Sequence, residues 1–148
     1  MRYRLAVHNY YVVREPGETP VPRTLSDPEA VAGIAKCLIP DDDREHFWTI
    51  FVNSQNHYQA AFEVSTGTLS ASLVHPREVF GPALREGAAA IILIHNHPSG
   101  DPTPSKEDMC LTRQLVDSGK LLEVRVLDHV IVGSGSGKWV SLAARGAM

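Results

Sequence analysis

The sequence predicts an α/β fold, a single domain in which helices flank a mixed β-sheet. Two observations carry this. Residues 47–52 and 88–94 are nearly continuous apolar runs, as strands buried on both faces would be. Around them, over 27–38, 75–87 and 105–119, apolar residues recur at helical spacing. Strand and helix patterns in alternation place helices on a sheet. With 148 residues, 43% of them hydrophobic, the chain has enough apolar material for one core.

Taken in order, residues 1–25 read as an N-terminal strand and a proline-rich linker, and 26–148 as the domain proper. Residues 3–13 are aromatic and β-branched, and Pro16, Gly17, Pro20 and Pro22 follow. Ser26-Asp27-Pro28-Glu29 has the form of a capping box with proline in the first turn. Val31, Ile34, Ala35 and Leu38 behind it make 27–38 an amphipathic helix. Pro40 ends it, and Asp41-Asp42-Asp43 reads as a solvated turn, because no glycine-bearing calcium loop surrounds it. The strand at 47–52 meets turn chemistry at 53–56 and returns over 58–64 as a hairpin. Gly67-Thr68 breaks that strand, and 69–74 reads as a short extended piece.

His75-Pro76-Arg77-Glu78 opens a second helix carrying Val79, Phe80, Ala83 and Leu84. Pro82 lies early enough in it to be tolerated with a kink. The buried run 88–94 is a strand that leads into two histidines. Ser105 starts a third helix, with Leu111, Leu115 and Val116 inward and Gly119 as the expected C-terminal stop. Residues 121–132 read as one or two strands, broken near Asp128-His129. A glycine-serine turn over 133–137 precedes a last strand at 139–142.

The net charge of −3 gives no general attraction to nucleic acid or to an anionic membrane. Met1-Arg2-Tyr3-Arg4-Leu5 lacks the apolar core of a signal peptide, and no apolar run approaches spanning length. A cytoplasmic location is expected. Cys37 and Cys110 stand outside any C-x-x-C pattern and are expected as buried small apolar residues. The glycine run ending Gly137-Lys138 is not a phosphate loop, for Val132 and Trp139 occupy positions that loop reserves for glycine and for Ser or Thr. His8, His46, His57 and His75 read as surface or capping residues, and His129 as a core histidine or a partner to a ligand. The elements of a zinc deaminase, H-x-E with P-C-x-x-C, are absent.

The chemistry concentrates in residues 91–108. In an extended segment residues two apart share a face, so His95 and His97 project together and Asn96 points away. Two imidazoles so placed can share one ion at about 2.0–2.1 Å each. Pro98, Pro102 and Pro104 restrict the loop that follows, and Gly100 permits its turn. Asp108 lies one turn into the third helix, on the face of Leu111, Thr112 and Leu115, where a carboxylate is costly unless paired or bound to metal. Ser105-x-x-Asp108 alone is also a plain helix cap. The joint pattern H-x-H-x7-S-x2-D arises by chance in roughly one such sequence per thousand. Three ligands, with a fourth position left for water, are the arrangement of a catalytic zinc site.

That pattern, in the wording His95-Asn96-His97-Pro98-Ser99-Gly100-Asp101-Pro102-Thr103-Pro104-Ser105-Lys106-Glu107-Asp108, resembles the JAMM/MPN metalloproteases, in their RadC-like branch of JAB domains. Val74-His75-Pro76-Arg77-Glu78, Gly67-Thr68 and Leu127-Asp128-His129-Val130-Ile131 are similar to the same branch. The resemblance covers roughly residues 27–146, and the helix-hairpin-helix region that longer RadC proteins carry in front is expected to be absent. It implies a JAB/MPN-like fold with cytidine-deaminase-like layering. One zinc ion would be held by His95, His97 and Asp108, with Ser105 stabilising the developing oxyanion. It also implies an upstream glutamate as general acid and base. Glu45, which heads the apolar strand before the hairpin, is favoured, and Glu63 and Glu78 are alternatives. The expected function is a metallopeptidase or isopeptidase acting on a peptide or protein substrate. A DNA-repair-associated RadC-like factor and a non-catalytic MPN-type interaction domain are the rivals. The oligomeric state is open.

Overall fold

The computed structural model describes residues 24–67 and 74–148. The readings of a strand over 3–13 and, save for Val74, of an extended piece over 69–74 lie outside them. The elements run α1 (Pro28–Leu38), β1 (Glu45–Val52), β2 (Tyr58–Gly67), α2 (Pro76–Arg85), β3 (Ala90–His97), α3 (Lys106–Leu122), β4 (Arg125–Gly133) and β5 (Trp139–Ser141). The five strands form one mixed sheet in the order β2-β1-β3-β4-β5. β3 and β4 pair in parallel through the α3 crossover, and the other neighbours are antiparallel. This is the predicted α/β domain. Among the described residues no helix is long and apolar enough to cross a membrane.

The sheet is covered on both faces, which explains the unbroken apolar runs. Ile91 and Leu93 of β3 pack with Phe47 and Phe51 of β1 and with Val79, Phe80, Leu111 and Leu115 of α2 and α3. Ile92 and Ile94 pack the other way, with Ile50, Val130 and the Val31, Ile34 and Ala35 face of α1. The period-two alternation therefore fixes which residues at the end of β3 meet α3. His95 and His97 continue the row of Ile91 and Leu93, and Asn96 continues that of Ile92 and Ile94.

Several local expectations change. The N-cap of α1 is Asp27, whose carboxylate accepts the Glu29 N–H at 3.0 Å. Pro28 takes the first helical position, which moves the cap one residue past Ser26. Gly119 does not stop α3; the helix runs on to Leu122 and Glu123 closes it in the left-handed conformation (φ 57°). Gly119 is there for closeness. A Cβ on it would stand 2.5 Å from the Val124 carbonyl oxygen and 3.2 Å from the Phe80 ring. β4 is one strand, and the break foreseen near Asp128 is a shift of register, since Ile91 faces Val126 but Ile92 faces Asp128. Cys37 and Cys110 are exposed, not buried. Both lie on helix faces turned from the sheet.

Candidate metal centre

The site forms where the C-terminal end of β3 meets the N-terminus of α3. Ser105 caps α3 reciprocally: its Oγ accepts the Asp108 N–H at 3.0 Å, and the Asp108 carboxylate accepts the Ser105 N–H at 2.8 Å. The cap thus fixes the direction of Asp108. The Asp108 carboxylate lies 3.2 Å from His95 Nε2 and 3.1 Å from His97 Nε2, and the two Nε2 atoms are 3.0 Å apart. His95 is buried, while the His97 and Asp108 side chains are each 14% exposed. Each of the three residues offers one ligand atom, and these all lie within 4.8 Å of one another.

The tautomers follow from the neighbours. Thr112 Oγ1 spends its single hydrogen on the Asp108 carbonyl at 2.7 Å, so it accepts from His129 Nδ1 at 2.6 Å. His129 Nε2 is then an acceptor, and His95 Nδ1 donates to it at 2.7 Å. His97 Nδ1 donates to the Asp101 carbonyl at 2.8 Å. With both Nδ1 atoms so engaged, neutral His95 and His97 turn Nε2 lone pairs toward the Asp108 carboxylate. Three acceptors facing one another repel unless a cation or proton lies among them. Nitrogen and oxygen ligands about 2.0–2.1 Å from a tetrahedral ion stand about 3.3 Å apart, close to the spacing here. The donor set fits one divalent metal, with the outer hydrogen bonds that orient metal-binding histidines.

Electrostatics agree with this geometry. When a proton rather than an ion lies among these atoms, burial pushes the Asp108 carboxyl up, but hydrogen bonds from protonated His95 and His97 and the His95 charge outweigh it and hold the group well below the usual carboxylate range. The hydrogen bond to Asp108 raises His97 against its burial, and the Glu45 charge adds to the rise. Burial, reinforced by the charge of His95, drives His129 well below the ordinary histidine value. His129 is therefore neutral, as its accepting role requires.

Glu45, His97, Ser105 and Asp108 line one open cavity of about 440 Å³, together with Asp101 and Glu107. Phe47, two residues from Glu45, faces the α3 side, so strand alternation puts Glu45 on the face of the two histidines. Glu63 pairs with Trp48, which packs on the α1 side, and so occupies the opposite face. Its carboxylate binds His46 Nδ1 at 2.8 Å and the Thr66 hydroxyl. Glu78 is exposed at the start of α2, 3.2 Å from Arg77 Nε. Glu107 is exposed in the first turn of α3.

A family model described as "RadC-like JAB domain" matches residues 25–147. The chain belongs to the RadC-like JAB domain family. The RadC-like domain is 47% identical over 131 residues to a UPF0758 protein of Desulforamulus reducens, covering 88% of this chain and 56% of that protein. It is 51% identical over 108 residues to a UPF0758 protein of Geotalea uraniireducens, covering 73% of this chain and 46% of that protein. A UPF0758 protein of Moorella thermoacetica is 49% identical over 121 residues, which are 82% of this chain and 52% of that protein. The chain spans about half the length of these relatives.

Three participants were missed or misread in the sequence. Thr112 looked like one more inward residue of α3, and only its distance to His129 reveals its part. His46, expected at the surface, is buried, with Nε2 2.9 Å from Asp42 and Nδ1 2.8 Å from Glu63. Asn96 does point away from the two histidines, as expected, but what it meets there is not legible in the sequence: it is fully buried, and its carboxamide bonds the backbone on either side of Glu45. The H-x-H spacing could have flagged Asn96, because a polar residue inside a buried strand must find partners.

Proposed function

We propose that this RadC-like domain is a zinc-dependent hydrolase of amide bonds, a metallopeptidase or isopeptidase that acts on a peptide or protein substrate in the cytoplasm. The reading rests on one observation: the His95, His97 and Asp108 ligand atoms converge beside an open cavity that His97, Asp108, Glu45 and Ser105 line. Zinc, which those three residues would hold, would supply a Lewis acid for the carbonyl and lower the pKa of a water. Glu45 takes a proton from the water as its oxygen adds to the carbonyl carbon, and returns that proton to the amine nitrogen as the C–N bond breaks. The Oγ of Ser105 accepts from the Asp108 N–H, so its own hydrogen is left to donate to the carbonyl oxygen as negative charge develops there. His129 and Thr112 hold His95 in the tautomer whose Nε2 faces the ion.

Two variants test this reading. With a panel of fluorogenic peptide and isopeptide substrates, Asp108→Ala should lose both zinc and turnover. Glu45→Ala should still fill its site at saturating zinc and lose turnover by roughly 10²–10⁴-fold. An active Glu45→Ala protein would remove Glu45 from the chemistry. A zinc-loaded wild-type protein inert toward every amide in the panel would count against the hydrolase reading itself.

A further inference from the structure

We propose that Asn96 is a positioning residue for Glu45, holding the glutamate's stretch of backbone at a fixed offset from the two histidines that flank Asn96 in sequence. The proposal rests on the reading of Glu45 as the acid and base of the site. It begins with the register of the sheet. β1 and β3 pair from Val52↔Ala90 to Phe47↔His95, and the pairing stops there. One more step would set His46 opposite Asn96, and a second would set Glu45 opposite His97. The backbones do not make those steps. The carboxamide of Asn96 makes the connection in their place. Its Oδ1 accepts the His46 N–H at 2.7 Å, and its Nδ2 donates to the Arg44 carbonyl at 3.0 Å.

One donor and one acceptor, offered to the carbonyl and the N–H on either side of Glu45, are what a neighbouring strand would supply. A side chain that supplies them spans a wider gap than a backbone pair does. Glu45 is therefore attached to β3 while its own side chain stays on the cavity side of the sheet. The anchor itself is rigid. On its far side β3 pairs with β4, Asn96 facing Val132 and His97 facing Gly133. Asn96 Nδ2 also donates to Ser134 Oγ at 2.9 Å. On the β2 side the same stretch is braced by the His46 ring between Asp42 and Glu63. The residue between the two candidate ligands thereby sets the distance from the ligands to the base. Buried polar groups without partners are costly, so substituting Asn96 releases both backbone groups and lets the Glu45 segment relax.

Zinc affinity, measured by chelator competition on the full chain, reads this without a substrate. Glu45→Gln removes one negative charge beside the ion and should weaken zinc by roughly 3- to 10-fold. Asn96→Ala should weaken it by a similar factor, and should add almost nothing in the Glu45→Gln background. Asn96→Leu keeps the size and the charge but offers neither backbone group a partner; it should behave as Asn96→Ala does, and it replaces that variant should the alanine protein fail to fold. If Asn96 variants weaken zinc equally with and without Glu45, Asn96 holds the histidines and the proposal is wrong. If Glu45→Gln alone changes nothing, Glu45 does not stand beside the ion, and the reading beneath the proposal falls with it. A structure of zinc-loaded Asn96→Ala should show Glu45 displaced with His95, His97 and Asp108 in place; an unmoved Glu45 would overturn the positioning role.

Discussion

Thr112 has one hydroxyl hydrogen and two neighbours to satisfy, and the way it divides them sets the state of His95 two hydrogen bonds away. Because the hydrogen goes to the Asp108 carbonyl, His129 must donate to Thr112 and accept from His95. Thr112→Val keeps the shape but leaves the buried Nδ1–H of His129 without a partner, at a cost of about 1–3 kcal/mol. It should also weaken metal binding by roughly 10–100-fold, as the loss of an outer hydrogen bond does. Urea unfolding and chelator competition measure the two effects; an unchanged zinc affinity would show that the relay does not orient His95. His46 allows a second prediction at this scale. Burial lowers its pKa, but hydrogen bonds to Glu63 and Asp42 outweigh that and raise it above 6.5. A group raised in the folded state contributes stability that is complete below its unfolded value and lost as pH rises through the folded one. Its two partners work in reverse. The backbone bond from Arg44 and the ring of His46 lower Asp42 to about 2, and Glu63 is lowered through Thr66 and His46 against its burial. Their contribution is present above the ordinary carboxylate range and lost as pH falls through the lowered values. Stability should therefore be greatest between about pH 4.5 and 6.5 as far as this cluster is concerned. His46→Gln should flatten the decline on the alkaline side, and an unaltered decline would assign it to another group.

At the scale of elements, the loop that carries the prolines is fixed by how closely β4 approaches it. Gly133 and Ser134 lie against the loop. The Ser134 N–H donates to the His97 carbonyl at 3.0 Å, as does the Gly100 N–H. A Cβ on Gly133 would fall 2.0 Å from the Gly100 carbonyl oxygen. Gly133→Ala must push the loop away from the sheet, and it should cost about 1–3 kcal/mol with weakened zinc binding. Thermal unfolding with and without zinc checks this, and wild-type values in both would show that the loop is free to move. The same contrast explains what could be read from the chain. Strands β1 and β3 were legible because both their faces are buried and their apolar runs are unbroken. The histidine and aspartate positions were legible because period two in a strand and the cap of α3 are local rules. Gly133 read as a turn residue and Gly119 as a helix stop, because close approach of a distant backbone leaves no mark on neighbouring sequence. The partners of Asn96 and His46 were illegible for the same reason, since they lie 50 residues away or across the sheet.

For the whole molecule, the sheet is what brings the participants into one place. The parallel β3-α3-β4 crossover sets the histidines against the N-terminus of α3, and the antiparallel pairing of β1 with β3 brings Glu45 to the same end. Sites at the C-terminal ends of strands in α/β sheets follow from this geometry. The choice among the glutamates shows where sequence reasoning stops: Glu45 and Glu63 both sit in apolar strands, and only the pairing with Trp48 puts Glu63 on the far face. Where the end of β3 meets α3, His95, His97 and Asp108 could hold one metal ion. Titration of the metal-free protein with Zn²⁺ in a calorimeter decides whether they do. We expect about one strong site per chain, lost in Asp108→Ala while that variant remains folded. Absence of strong binding in the wild-type chain, or equal binding by Asp108→Ala, would contradict it.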